Sequence, residues 1–358
     1  MTTRDRLLFC VASFLYYSGL MRVIHWLSRH SGQRLLILNY HQASGEELRN
    51  HLLYLRKHFR LQFLEPALET LCTTGGDRAP GRDRLLPLAI TFDDGYLDNY
   101  THAYPLAREL QVPITIFLIS DYIDNGAAFW WFDRLVEKAQ VNQVTVDEHT
   151  YHLNESGEQR ELARIIAMQV SSIADEASRQ AYLRAMSSAL STPVTSNADL
   201  NKTPMPLLRW EQVQEMQASG WVSFGGHTQH HPTLARLANA DEAFKEVAGC
   251  RSVLQEKLGQ SARVFAYPHG GVQHIGVQGV LAAERAGYRW AVTTLQGVNT
   301  ARTHPYLIRR TSASSQLHWL LIALMTSGLW DFLSYFNWLV TRIKQRKTLK
   351  QMHLPPQW

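Results

Sequence analysis

Two short stretches carry side chains that could act on a ligand together. The first is Thr91-Phe92-Asp93-Asp94-Gly95, where an apolar run over 87–92 stops at two adjacent carboxylates and a glycine. Such a run reads as a strand that leaves its sheet through a tight loop. Two carboxylates at a strand exit can divide the work. One can bind a metal and the other can move a proton, because a bound cation reshapes the local pKa values. Taken alone, Asp-Asp-Gly is also the composition of an ordinary turn. The second stretch is Gly225-Gly226-His227-Thr228-Gln229-His230-His231-Pro232. His227 and His231 are four apart, so on a helical turn, or a loop closing into one, both imidazoles face the same side. His230 then faces elsewhere and is set aside as a ligand. Two neutral imidazoles and one carboxylate hold a zinc-like ion with positions left open, and such sites activate water. A third run, 263–267, ends at Pro268-His269-Gly270. Three strand exits bearing polar chemistry meet only if the strands share one face of a barrel or sheet.

The elements that would bring them together are legible as an alternation. Residues 35–40 read as a buried strand ending at His41, 46–58 as a helix, 61–63 as a short strand and 66–71 as a helix opened by Pro66. After the strand of the Asp pair come a helix over 104–110 and a strand over 112–119. The alternation resumes with a helix over 209–218, a strand over 221–224, a helix over 241–258 and the strand 263–267. A helix over 277–286 and strands over 290–293 and 307–309 complete it. Strand then helix, repeated, predicts a parallel sheet. Residues 125–205 break the rhythm and read as an insertion over the mouth of the main domain. It opens on Phe129-Trp130-Trp131-Phe132, continues through a hairpin over 143–153 and helices over 157–190, and ends in a polar linker. The aromatic cluster either anchors the insertion or stacks on a sugar ring.

The 358 residues, 45% hydrophobic and 19% charged, suit one large α/β domain with insertions or two small ones. The net charge of +5 is concentrated at the ends, with Arg22, Arg29 and Arg34 near the start and Arg342, Lys344, Arg346, Lys347 and Lys350 near the end. Basic ends beside apolar helices suggest an anionic membrane surface rather than nucleic acid, or else a solvated tail. Cys10, Cys72 and Cys250 have no paired spacing, which excludes a disulfide framework and a zinc knuckle; a reducing compartment is compatible with them. Residues 1–34 hold an apolar run over 7–21 with no small-x-small cleavage site after it. That run is short for a span, and Ser18, Arg22, His25 and Arg29 recur at helical spacing, so an amphipathic helix lying on a membrane or on the domain is expected. Residues 313–358 form an apolar stretch and a basic tail. Ser327, Asp331, Ser334 and Thr341 line one face, which again favours an interfacial or packed helix over a free span. Peripheral or monotopic membrane association is therefore expected over a freely soluble protein.

The motifs in combination resemble those of the polysaccharide deacetylase family, the NodB-homology carbohydrate esterases. Thr91-Phe92-Asp93-Asp94-Gly95 is similar to its first motif, His227-Thr228-x-x-His231-Pro232 to its second, and Phe265-Ala266-Tyr267-Pro268-His269-Gly270 to its third. Tyr40-His41 resembles a branch of the family. The resemblance runs over 35–310 apart from the insertion, giving barrel parts at 35–124 and 206–312. It implies a distorted, incomplete (β/α) barrel with a divalent metal, usually zinc, at its mouth. It also implies that Asp93 is the general base, that Asp94, His227 and His231 bind the metal, and that the His269 backbone amide helps hold an oxyanion. Tyr267, Pro268 and Arg309 would border the substrate. The implied reaction removes N-acetyl groups from an N-acetylated sugar of a polysaccharide or glycan precursor. Two positions depart from the pattern. Ala266 stands where the family often has an arginine that orients the base, leaving Arg263 and Arg309 as substitutes. Arg309 also stands where a Leu-x-His motif supplies the acid, and arginine is a poor proton donor. His41 or His269 would then serve as acid, unless His41 only makes a structural hydrogen bond. The departures keep two alternatives open: a weak or inactive glycan-binding homologue, and an O-deacylase.

Overall fold

The computed structural model describes residues 3–30, 34–73, 85–123, 135–136, 139–173, 176–191 and 207–329. The aromatic cluster at 129–132, the polar linker and the basic tail lie outside them. Strands β1 (Leu36–Tyr40), β3 (Leu86–Phe92) and β4 (Ile114–Leu118) are apolar runs buried almost throughout. Continuous burial is what a parallel sheet covered on both faces demands. With β2 (Phe59–Leu61), β7 (Val222–Gly226), β8 (Val264–Ala266), β9 (Trp290–Val292) and β10 (Thr311–Ser312) they form one sheet, ordered β10-β1-β3-β4-β7-β8-β9 with β2 also on β3. Every pairing in it is parallel.

The sheet curls until its edges nearly meet. Ile308 bridges Val292 of β9, and Thr311 and Ser312 pair with Leu38 and Asn39 of β1. The expected strand over 307–309 is therefore a single bridge followed by a short ladder, because this segment divides its hydrogen bonds between two edges. The architecture is the distorted, incomplete (β/α) barrel that the motifs imply.

Successive side chains along the strands face opposite sides. Leu38, Ile90 and Ile116 join the larger core under the helices, while Ile37, Ala89, Phe117 and Ile308 fill the barrel. The covering helices are α3 (Leu48–His58), α5 (Tyr104–Leu110), α8 (Trp210–Ala218), α9 (Ala240–Leu258) and α10 (Val272–Arg285), while α4 (Leu64–Thr73) packs Leu64, Ala67, Leu68 and Leu71 against the barrel interior. A π-helical turn, Asn99–Ala103, precedes α5. Between β4 and β7 lie the hairpin β5 (Gln143–Val146) and β6 (His149–His152), then α6 (Ser156–Ser172) and α7 (Glu176–Ala189). These elements have their own buried cluster, including Val144, Tyr151, Leu162 and Ile166.

The N-terminal segment is two helices rather than one, α1 (Thr3–Tyr17) and α2 (Leu20–His30), broken at Gly19 with φ 79°. His25 does not belong to an outward polar stripe: it is buried, with Nε2 3.0 Å from the Tyr54 hydroxyl. Helix α11 (Trp319–Thr326) packs Leu320, Leu321 and Leu324 around Ala12 of α1. Among the described residues no helix is long and apolar enough to cross a membrane.

Candidate metal centre

Strand β3 delivers both carboxylates, and the backbone then sends them apart. Asp93 continues the ladder, its N–H donating to Tyr40 O at 2.9 Å. By alternation its side chain enters the barrel with Ala89 and Thr91. Asp94 is left-handed at φ 73°, a conformation that Asp tolerates. Gly95 follows at φ 76°, left-handed backbone that favours glycine, where a Cβ would also lie 2.8 Å from Leu118 Cδ2 and force that side chain to shift. The turn aims Asp94 across the mouth toward the loop after β7.

On that loop His227 and His231 meet Asp94. Nε2 of His227 is 3.3 Å and Nε2 of His231 3.6 Å from Asp94 Oδ1, and one ligand atom from each of the three lies within 4.8 Å of the others. The histidines converge by a different route from the one their spacing suggested. The loop is not a helical turn; left-handed backbone at Thr228 (φ 67°) and His231 (φ 57°) folds it back. Thr228 Oγ1 accepts from the His231 N–H at 2.9 Å. His227 Nδ1 donates to Ala266 O at 2.7 Å, which leaves Nε2 facing Asp94.

Asp94 Oδ1 is buried and accepts no hydrogen bond. A carboxylate oxygen left so between two imidazole nitrogens suits a cation, and one carboxylate with two imidazoles is a zinc-type donor set with positions to spare. The electrostatics agree. Burial alone would raise the Asp94 carboxyl, but His227, His41 and His231 hold it well below the usual range. Burial and the neighbouring His227 push His231 well down, keeping its imidazole neutral, the form that could coordinate a cation. His227 is opposed by burial yet raised by Asp94 and Asp93. A proton and a cation would therefore compete for its Nε2.

Asp93 has a different partner from either of those expected. Arg310, fully buried, donates from Nη1 to Oδ1 at 2.7 Å and from Nη2 to Oδ2 at 2.8 Å. Arg310 is itself fixed by Thr293 O at 2.9 Å, Asn39 Oδ1 at 3.0 Å and Thr91 Oγ1 at 3.2 Å. Burial pushes the Asp93 carboxyl up, and Arg310, then His227 and His41, more than offset it. Arg263 instead pairs with Glu65 and Glu69. Arg309 is exposed, its Nη1 3.0 Å from Gln296 O, so the structure does not place it at the carboxylates. Consecutive residues in extended backbone face opposite sides, and Arg310 takes the inward one.

His41 follows β1 beside Asp93 and lies close enough to bias Asp93, Asp94 and His231 electrostatically. Its carbonyl accepts from Asn99 Nδ2 at 3.1 Å in the π-helical turn, and Asp98 Oδ2 accepts the N–H groups of Ala43 and Ser44 at 2.7 and 3.0 Å. His269, exposed and left-handed at φ 60°, sets its ring edge-on to His231 at 5.0 Å. Pro268 is buried. Tyr267 is not available to a substrate: it is buried under the helices, its hydroxyl donating to Tyr306 O at 3.1 Å.

Glu246 on α9 gave no signal in the sequence. Oε2 accepts the N–H groups of Gln229 and His230 at 3.1 and 3.0 Å, and Oε1 is 2.8 Å from His230 Nδ1. Asp121 Oδ2 stands 3.2 Å from the other His230 nitrogen. His230 is thus a strap for the ligand loop rather than a ligand. Glu246→Ala is expected to weaken zinc binding by about 10- to 100-fold, the range seen when support behind metal ligands is lost. Competition titration against a chromogenic chelator measures it, and Glu246→Gln, which keeps an acceptor, should recover part of the loss.

Residues 86–195 and 179–291 match the family model described as Polysaccharide deacetylase. YxkH of Bacillus subtilis (strain 168), whose name offers it as a candidate polysaccharide deacetylase, is 24% identical over 296 residues, 81% of this chain and 75% of its own. The structure of IcaB from Ammonifex degensii superposes with a TM-score of 0.53 at 20% identity, over 83% of this chain and 98% of its own. The Streptococcus pyogenes deacetylase PplD, solved in complex with acetate, gives 0.54 at 17% identity, over 82% and 99%. At these identities the two structures establish likeness of fold.

Proposed function

The chain belongs to the polysaccharide deacetylase family, and from that premise we propose that it is a divalent-metal-dependent hydrolase. It removes N-acetyl groups from an N-acetylated sugar of a polysaccharide or glycan precursor. The observation that carries this reading is the Asp94 Oδ1, buried without a hydrogen bond between two imidazoles and next to a carboxylate held ionised by Arg310. Asp94, His227 and His231 would hold the cation, with zinc the metal that best suits their donors. When bound, it supplies Lewis acidity, which acidifies water and polarises the acetamide carbonyl.

The chain's own groups do the rest. Asp93, kept ionised and aimed by the Arg310 fork, takes the proton of the attacking water. The His269 backbone amide would donate to the developing oxyanion, the role its place in the third motif implies. His41 and His269 flank the centre and are the candidates to protonate the departing amine; burial, with His274 and His227 nearby, pushes His269 down to about 4, which favours His41. With Arg309 in place of the Leu-x-His histidine, a glycan-binding protein without turnover is the second reading. Acetate release from N-acetylglucosamine oligomers separates the two. Chelation is expected to lower it by about 100-fold or more, and added zinc to restore it. Stoichiometric metal binding with no turnover of any N- or O-acetylated sugar would leave the binding protein.

A further inference from the structure

We propose that the outward face of α1 and α2 is a docking surface for an anionic lipid membrane. Five of the exposed large hydrophobic side chains among the described residues come from this helix pair: Val11, Phe14, Tyr17, Leu20 and Val23. Phe14 and Tyr17 are 66% and 75% exposed on α1 opposite Ala12, which is buried against α11. On α2, Val23 is 51% exposed opposite the buried Met21 and His25, with exposed Arg22 beside it. The outer face of a helix packed on a water-soluble domain is normally charged. Here no charged residue occurs between Arg6 and Arg22.

Charge selects the occupant. Residues 1–34 carry five arginines against Asp5, and residues 330–358 carry five basic side chains against Asp331. The chain between them is the reverse, with 29 acidic and 26 basic side chains. The excess positive charge of the whole protein is therefore confined to residues 1–34, which carry the apolar face, and to residues 330–358. An apolar helix face bordered by arginine, with tyrosine at its edge, is the pattern of a helix lying in the headgroup region of anionic lipid. With 15 residues, α1 is about 22 Å long, less than the ~30 Å hydrocarbon core, so it suits lying in the interface. A second copy of this chain would instead meet its own arginines across a two-fold axis.

Flotation of the full chain with vesicles tests this. Binding is expected to vesicles of phosphatidylcholine with phosphatidylglycerol, to weaken as salt is raised, and to be lower on phosphatidylcholine alone. The triple variant Phe14→Ser, Tyr17→Ser, Val23→Ser changes only outward side chains and should keep the wild-type melting temperature and its activity on soluble oligomers. Its partitioning should fall by about tenfold or more. Undiminished binding of the triple variant overturns the proposal, as does equal binding to both kinds of vesicle. A loss of self-association by the triple variant with vesicle binding unchanged also overturns it, and assigns the face to a second copy.

Discussion

Asp93→Asn is expected to cut acetate release by a factor of about 10² to 10⁴, the usual worth of a positioned general base, while the variant still binds one equivalent of zinc. The separation follows from the geometry. The three groups around the cation position are Asp94, His227 and His231, and none depends on Asp93 for its aim. What Asp93 contributes is a carboxylate that remains ionised although buried, because a bidentate guanidinium faces it. An amide of the same shape can accept one Arg310 bond but presents an N–H₂ to the other. It cannot take a proton from water. The variant should also be less stable, since Arg310 keeps its charge in a buried place and loses its counterion. Turnover is therefore compared well below the melting temperature of the variant. Activity above about a tenth of wild type would remove Asp93 from the role of base. Asp94→Asn is the contrasting case: it should lose metal and turnover together.

The two halves of this arrangement differed in legibility for physical reasons. Strand exits announce themselves, because an apolar run that stops at Asp93 or His227 has nowhere else to put a polar side chain. What lies behind the exits is tertiary. Helix α9 brings Glu246 to the ligand loop from sixteen residues beyond His230, and no local pattern encodes that. Arg310 stands one residue beyond Arg309, the position to which the motif points. The segment around it divides a few hydrogen bonds between two sheet edges, so it lacks the run of paired residues that makes a strand readable. A signal was nevertheless present, since Ile308 is a barrel-core residue and the position two further on shares its side. Tyr267 follows the same rule in the other direction. It lies on the side of Phe265, under the helices, while Ala266 between them faces the barrel. A helical turn does not form at His227 and His231, because the left-handed backbone of Thr228 and His231 is tied by the Thr228 Oγ1 bond to the His231 N–H inside the loop and by the Ser120 N–H donating to Thr228 O from outside it. Histidine is among the types that adopt that conformation, but β-branched Thr228 is an outlier in it.

Arg310→Met should lower stability at neutral pH by about 3–5 kcal/mol, the cost of leaving one member of a buried ion pair alone. The pH dependence distinguishes this from simple loss of packing. In the wild type the folded pKa of Asp93 lies below its ordinary value, so its ionisation stabilises the fold above the carboxylate range. That contribution is lost only as pH falls through the depressed folded value. Without Arg310 the burial that opposes ionisation is no longer outweighed, and the Asp93 pKa rises. Ionised Asp93 then destabilises the fold, and the deficit relative to wild type should shrink as pH is lowered toward and below the raised value. The acid limb of the turnover profile should move to higher pH for the same reason, because the base is protonated sooner. Denaturant melts and initial rates across a pH series read both effects. A deficit that stays constant with pH, and an acid limb that does not move, would mean that Arg310 only fills space. Removing both partners sharpens the comparison. If the charge pair is the source, Asp93→Asn combined with Arg310→Met should be more stable than the sum of the two single losses, because neither buried charge is left uncompensated.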